Sequence, residues 1–166
     1  MTGVPLVDIL IMNTVENLFR ILKESKVDHK RFEHEPVRTS EEAARVRSVP
    51  LKSGVKAMLL KKKEGGFILV LLPADKKIDF RKIEELENTK KLSFAASPEV
   101  LEETGCEPGG VPPFGHTKNG ENHMIKTYMD KDIFENKLVN FNAGDRSVSV
   151  TIKSEDLKKI IDAVYF

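Results

Sequence analysis

Apolar residues recur at helical spacing early in the chain. Val15, Leu18, Phe19 and Leu22 fall at i, i+3, i+4 and i+7, which predicts an amphipathic helix from Asn13 or Thr14 to about Ser25. The period then shortens. Arg31 to Glu35 alternates and stops at Pro36, predicting a short strand that enters a turn. Thr39-Ser40-Glu41-Glu42 carries a capping-box pattern and opens a helix through Ala43, Ala44 and Val46 that must end before Pro50. Two apolar runs, Val55 to Lys61 and Phe67 to Leu72, flank Lys62-Lys63-Glu64-Gly65-Gly66 and predict a hairpin of buried strands with a glycine turn. A helix over Phe80 to Leu86 and a short β-like segment from Lys91 to Ala95 follow. Ser97-Pro98-Glu99 then reads as a capping serine with proline at the first helical position, and Gly105 closes that helix. Ile125 to Met129, Leu138 to Phe141 and Ser147 to Ile152 read as strands, and Ser154 caps a last helix from Glu155 to about Val164. There is no repeat, low-complexity tract or linker. The expectation is an α+β (mixed α/β) fold: a single domain over residues 1–166, with a central mixed β-sheet flanked by helices and residues 1–12 as an N-terminal extension.

Composition narrows the class. A chain of 166 residues can bury roughly two thirds of its unfolded surface without metals or disulfides. Cys106 is the only cysteine, which excludes a disulfide framework and a cysteine-based zinc site and fits a reducing, cytoplasmic setting. The apolar stretch from Val4 to Met12 is interrupted by Asp8 and too short to span a bilayer, so no membrane association is expected. A net charge of +1 argues against indiscriminate coating of nucleic acid and leaves room only for a local basic patch. Lys61-Lys62-Lys63, Lys76-Lys77, Arg81-Lys82 and Lys90-Lys91 are candidates, either as a phosphate-binding surface or as solvated turns of a Lys/Glu-rich exterior.

Two features suggest a pocket. Gly109-Gly110-Val111-Pro112-Pro113-Phe114-Gly115 is a stiff loop with little side-chain bulk, whose Gly109, Gly110, Val111 and Phe114 amides suit an oxygen-rich ligand. Lys56 is the one cation in an apolar strand, on a face shared with Met58 and Leu60. It is either a pocket wall or a strand-start lysine that reaches water. His29, His34, His116 and His123 show no metal-ligand spacing, so no metal site is expected, and no cofactor fingerprint is present. His34 either lines a cleft or is structural, and Cys106 has no identifiable base beside it.

The ordered series Glu33-His34-Glu35-Pro36, Thr39 to Ala44, Val55 to Leu60, Ala96-Ser97-Pro98-Glu99, Thr104 to Gly115, Met129-Asp130 and Ser154 to Leu157 resembles the YbaK/ProX superfamily. Its members are free-standing relatives of the editing domain inserted in bacterial prolyl-tRNA synthetases. The resemblance runs from about residue 15 to the C-terminus. It implies a trans-editing deacylase that hydrolyses the ester of mischarged tRNA, most often tRNA for proline carrying alanine or cysteine. It also implies a catalytic role for Lys56 and a backbone grip on the aminoacyl end by Gly109, Gly110, Val111 and Pro113. Phe32, His34, Thr39 and Asn140 fall where relatives line the pocket. The pattern departs from the family at Ala57, where many relatives have Thr, Ser or Asn, and at Asn142, where alanine-specific members have His. The partner implied is the aminoacylated 3′ end of tRNA. A separate reading, from another class, is a scaffold that contacts a synthetase, with residues 4–12 either a docking element or core cover. The rival reading is a non-catalytic module of the same fold that binds a tRNA end, nucleotide or amino acid.

Overall fold

The computed structural model describes residues 3–166. Helix α1 (Leu6–Glu24) starts directly after Pro5, well before the expected Asn13. No helix breaker lies between Leu6 and Met12, and Asp8 sits in the first turn, where the helix dipole favours an acid. Residues 6–12 of the expected extension are therefore helical. Thr14, Leu18 and Leu22 are buried along one stripe of α1, while Leu6, Ile9 and Met12 stay exposed.

β1 (Lys30–Glu33) leads to α2 (Ser40–Arg47), whose cap is Thr39 Oγ1 accepting the Glu42 amide at 3.1 Å. The Glu42 carboxylate accepts from Arg38 N instead of the Thr39 amide, so only half of the expected reciprocal pair forms. β2 (Val55–Lys61) and β3 (Phe67–Pro73) make the predicted antiparallel hairpin. Gly65 and Gly66 turn it at φ +104° and +91°, angles that side chains other than glycine rarely adopt.

α3 (Phe80–Glu87), β4 (Ser93–Phe94) and α4 (Ser97–Thr104) follow. Ser97 is the first helical residue and not the cap: Ala96 holds that position and donates its amide to the Glu99 carboxylate at 3.0 Å. A small hairpin of β5 (Thr117–Lys118) and β6 (Glu121–Asn122) precedes β7 (Thr127–Met129), β8 (Leu138–Asn142) and β9 (Val148–Lys153). The expected last helix is only α5 (Leu157–Ile160), after which β10 (Ala163–Tyr165) pairs parallel with β7. Sheet pairing takes the apolar Ala163-Val164-Tyr165 that a longer helix would have used.

The expected mixed sheet is five-stranded, in the order β10-β7-β3-β2-β4, with β7 parallel to both β3 and β10. The remaining long strands form a separate three-stranded antiparallel sheet, β1-β9-β8, bridged to the first at Gly54 and Asn140. The main core packs one face of the mixed sheet (Val55, Leu59, Leu69, Leu71) against α1 and the inner face of the smaller sheet (Val139, Phe141, Val150, Ile152). The other face of the mixed sheet, with Leu60, Ile68, Val70 and Leu72, packs on Ile83 of α3. Among the described residues no helix is long and apolar enough to cross a membrane.

Candidate active site

Alternation along β8 divides its residues between two environments. Val139 and Phe141 enter the core, which places Asn140 and Asn142 together on the opposite face. That face, the start of β2, helix α2 and the Gly109 bend enclose a cavity of about 340 Å³. The volume lies within the range of small-molecule sites. Lys56, Thr39, Gly109, Val111 and Asn140 all line it, so the structure gathers five of the expected site residues at one place.

Lys56 has one weak contact, its Nζ donating to the Ala74 carbonyl at 3.4 Å. Burial pushes its pKa below the ordinary lysine value, while Asp75 and Glu41 pull it back up and Lys77 pushes it down again. No ion pair neutralises Lys56 among the described residues, so its ammonium remains available to an anion or an oxygen-rich group. Lys56 is half-buried and lines the cavity.

Across the cavity the bend is held from both sides. The Gly109 carbonyl accepts from Asn142 Nδ2 at 2.6 Å, and the Gly110 amide is consumed by the Glu107 carbonyl at 3.0 Å. Among the described residues, no backbone hydrogen bond uses the Gly109 or Val111 amides. Gly110 and Pro113 do not line the cavity. Gly110 is buried beneath the bend, and Pro113 lies on the far side of the loop. His116, fully buried, bonds the Pro112 carbonyl through Nε2 at 2.7 Å and so locks the loop. Burial holds its pKa down at about 4, so it is a neutral structural donor.

His34 and Phe32 stand one layer out. His34 Nε2 lies 2.6 Å from Ser149 Oγ, and its Nδ1 lies 2.8 Å from the Glu35 carbonyl. Phe32 is opposite Ser149 in the β1–β9 register, and Ser149 is opposite Asn142 in the β8–β9 register. The three therefore form one cross-strand row, with Phe32 at its exposed outer end.

The residue that sequence reasoning missed is Arg47, at the end of α2. Its Nε donates to Ser149 Oγ at 2.7 Å, Nη1 to Asn140 Oδ1 at 2.8 Å and Nη2 to Asn142 Oδ1 at 2.8 Å. It lines the cavity with no carboxylate partner among the described residues, and burial lowers its pKa to about 10. In the sequence it resembles any basic residue in a last helical turn. The available signal was Asn140 and Asn142 at alternate positions of an otherwise apolar strand, a polar pair that needs a partner.

The cavity lining contains no acid, histidine or cysteine. Cys106 is buried at 0% exposure, with its thiol pushed up to about 12 by desolvation, which rules it out as a nucleophile at neutral pH. No group of three or more potential metal-ligating side chains occurs among the described residues. What this site offers is therefore three cations, Arg38, Arg47 and Lys56, with side-chain amides and backbone amides that enter no backbone hydrogen bond. The basic stretch contributes less than its sequence suggests. Lys61 pairs with Glu99 at 2.7 Å, Lys62 with Glu87 at 3.3 Å, and Lys76 with Asp130 and Asp132 at 2.9 and 2.5 Å.

The chain is similar to the prolyl-tRNA editing protein ProX of Acetoanaerobium sticklandii, at 29% identity over 153 residues covering 92% of this chain and 93% of that protein. It is also similar to the multifunctional Ser/Thr-tRNA deacylase ProXp-y of Escherichia coli K12, at 32% identity over 152 residues covering 89% and 87%. The fold matches a crystal structure described as a candidate trans-editing enzyme for prolyl tRNA synthetase, with a TM-score of 0.77, 22% identity and coverage of 92% and 94%. Residues 34–160 match the sequence profile of the aminoacyl-tRNA editing domain, and by that match the chain belongs to the aminoacyl-tRNA editing domain family.

Proposed function

We propose that this protein is a trans-editing hydrolase that cleaves the ester of mischarged tRNA, with tRNA for proline carrying alanine or cysteine as the first substrates to examine. One observation carries the reading: Lys56, with no ion-pair partner among the described residues, lines the same cavity as Gly109 and Val111, whose amides enter no backbone hydrogen bond there. Lys56 anchors oxygens of the terminal nucleotide, and the Gly109 and Val111 amides receive the negative charge that develops on the ester carbonyl. With no acid or histidine lining the cavity, an ordered water and the substrate's own groups carry the proton.

A second substrate class is favoured by a specific observation. Arg47, Asn140 and Asn142 make one wall polar, which suits a hydroxyl side chain, and the E. coli relative is named a Ser/Thr-tRNA deacylase. A site built around hydrogen bonds discriminates strongly against analogues that lack the partner group. The test is a deacylation panel: tRNA for proline charged with alanine, cysteine or proline, together with seryl-, threonyl- and alanyl-tRNAs. Faster ester loss with at least one non-cognate pair than with correctly charged prolyl-tRNA supports the proposal. Rates equal to the spontaneous rate for every substrate would refute it and favour the binding-module alternative.

A further inference from the structure

We infer that Arg47 is a positioning residue that sets the separation of the two cavity walls, an inference resting on the hydrolytic reading above. The geometry is a three-way clamp. Through Asn140 the guanidinium reaches the Lys56 wall: Asn140 Oδ1 accepts from Arg47, and its Nδ2 donates to Ser53 Oγ at 2.9 Å and to the Ser53 carbonyl at 3.3 Å. Ser53 and Gly54 lead straight into β2, and Gly54 is bridged to Asn140 along the backbone. Through Asn142 the same guanidinium reaches the opposite wall: Asn142 Oδ1 accepts from Arg47, and its Nδ2 donates to the Gly109 carbonyl. Ser149, 0% exposed, accepts the Nε proton and fixes the plane of the guanidinium.

Each side-chain amide is thereby oriented. An asparagine has one acceptor and one donor end, and Arg47, which has only donors, must face the oxygens. The nitrogens are left to aim at Ser53 on one side and Gly109 on the other. A rotated amide would set donor against donor at Arg47 and release the wall it holds. Arg47 is suited to this role because its planar fork spans three acceptors, which the single ammonium of lysine cannot do. Of its five N–H groups three are engaged, and two remain for the cavity or its occupant.

The experiment pairs an amide readout with kinetics. In nitrogen–proton correlation spectra, Arg47→Lys should shift the amides of both walls, Gly54 to Ala57 and Gly109 to Val111. Asn142→Ala should shift chiefly the Gly109 wall. In single-turnover deacylation, Arg47→Lys should lower kcat about a hundredfold, the scale of an ångström-size misplacement, while KM changes by less than about threefold. The double variant Arg47→Lys/Asn142→Ala should be no more than about threefold worse than the poorer single variant, because both break one linkage. Guanidinium added to a folded Arg47→Ala variant should restore part of the rate. Shifts confined to one wall, or single-variant losses that multiply, would overturn the inference. A wild-type protein inert toward every charged tRNA would instead refute the hydrolytic reading and leave the two-wall spectral response as the separate test of the clamp.

Discussion

Replacing Lys56 with methionine separates a residue kept for chemistry from one kept for stability. The folded protein gains little from Lys56, because among the described residues its one hydrogen bond is the 3.4 Å contact to the Ala74 carbonyl and its ammonium is partly desolvated. Removing so long a contact costs at most about 0.5–1 kcal/mol, and releasing the desolvated charge offsets it. The melting temperature of Lys56→Met should therefore stay within about 4 °C of wild type for a chain of this size. Activity responds differently. A charge-assisted hydrogen bond to a substrate oxygen contributes about 1.5–3 kcal/mol, so its loss should lower kcat/KM roughly 10- to 150-fold.

The sign with pH is also fixed. Between the lowered folded-state pKa of Lys56 and its ordinary 10.5, the unfolded chain holds a proton that the folded chain has released. Wild-type stability gains a contribution as pH rises through that window, and Lys56→Met lacks it. Thermal and urea unfolding at neutral and alkaline pH, beside single-turnover deacylation, measure both sides. A variant that retains more than a third of wild-type activity, or loses more than about 3 kcal/mol of stability, would refute the reasoning.

Gly115→Ala should be costly for a backbone reason. Gly115 sits at φ +84°, and an added Cβ would lie 2.9 Å from Leu18 Cα and 3.2 Å from Leu18 N, atoms of α1 that cannot rotate away. Left-handed strain and overpacking together predict a loss of roughly 2–5 kcal/mol by urea denaturation. Gly110→Ala, whose nearest contacts are 3.4–3.5 Å, should cost under about 1 kcal/mol. His116 should make the protein acid-sensitive. With its pKa held at about 4 against an ordinary 6.5, the unfolded chain takes up the proton first as pH falls, removing on the order of 3 kcal/mol across that interval. His116→Gln, which can still donate to the Pro112 carbonyl but does not titrate, should flatten that slope in urea midpoints measured at neutral and acidic pH.

The sequence was most legible where local and tertiary preferences agree. The stripe on α1 and the β2–β3 hairpin followed from periodicity, since both elements bury the residues that their spacing aligns. The segment after Ile160 is ambiguous in sequence because its apolar residues satisfy helix and strand patterns equally, and only β7, a partner 36 residues earlier by the Ala163–Thr127 register, decides between them. The strands β1, β8 and β9 were recognised singly, but nothing local states that they form their own sheet. At the site, Lys56 stood out as a charge among apolar neighbours. Arg47 did not, because its meaning comes from three acceptors about 93 to 102 residues away in sequence.

The sealed position of Cys106 has a consequence for durability. The chain's single sulfhydryl is shut inside the core, beside the Thr104 carbonyl, and disfavours ionisation. Peroxide oxidises thiolates, and intermolecular cross-linking requires access. The folded protein therefore offers neither sulfenylation nor covalent dimerisation at sulfur, and an oxidant burst that disables enzymes built on a reactive cysteine leaves this cavity's nitrogen donors chemically intact.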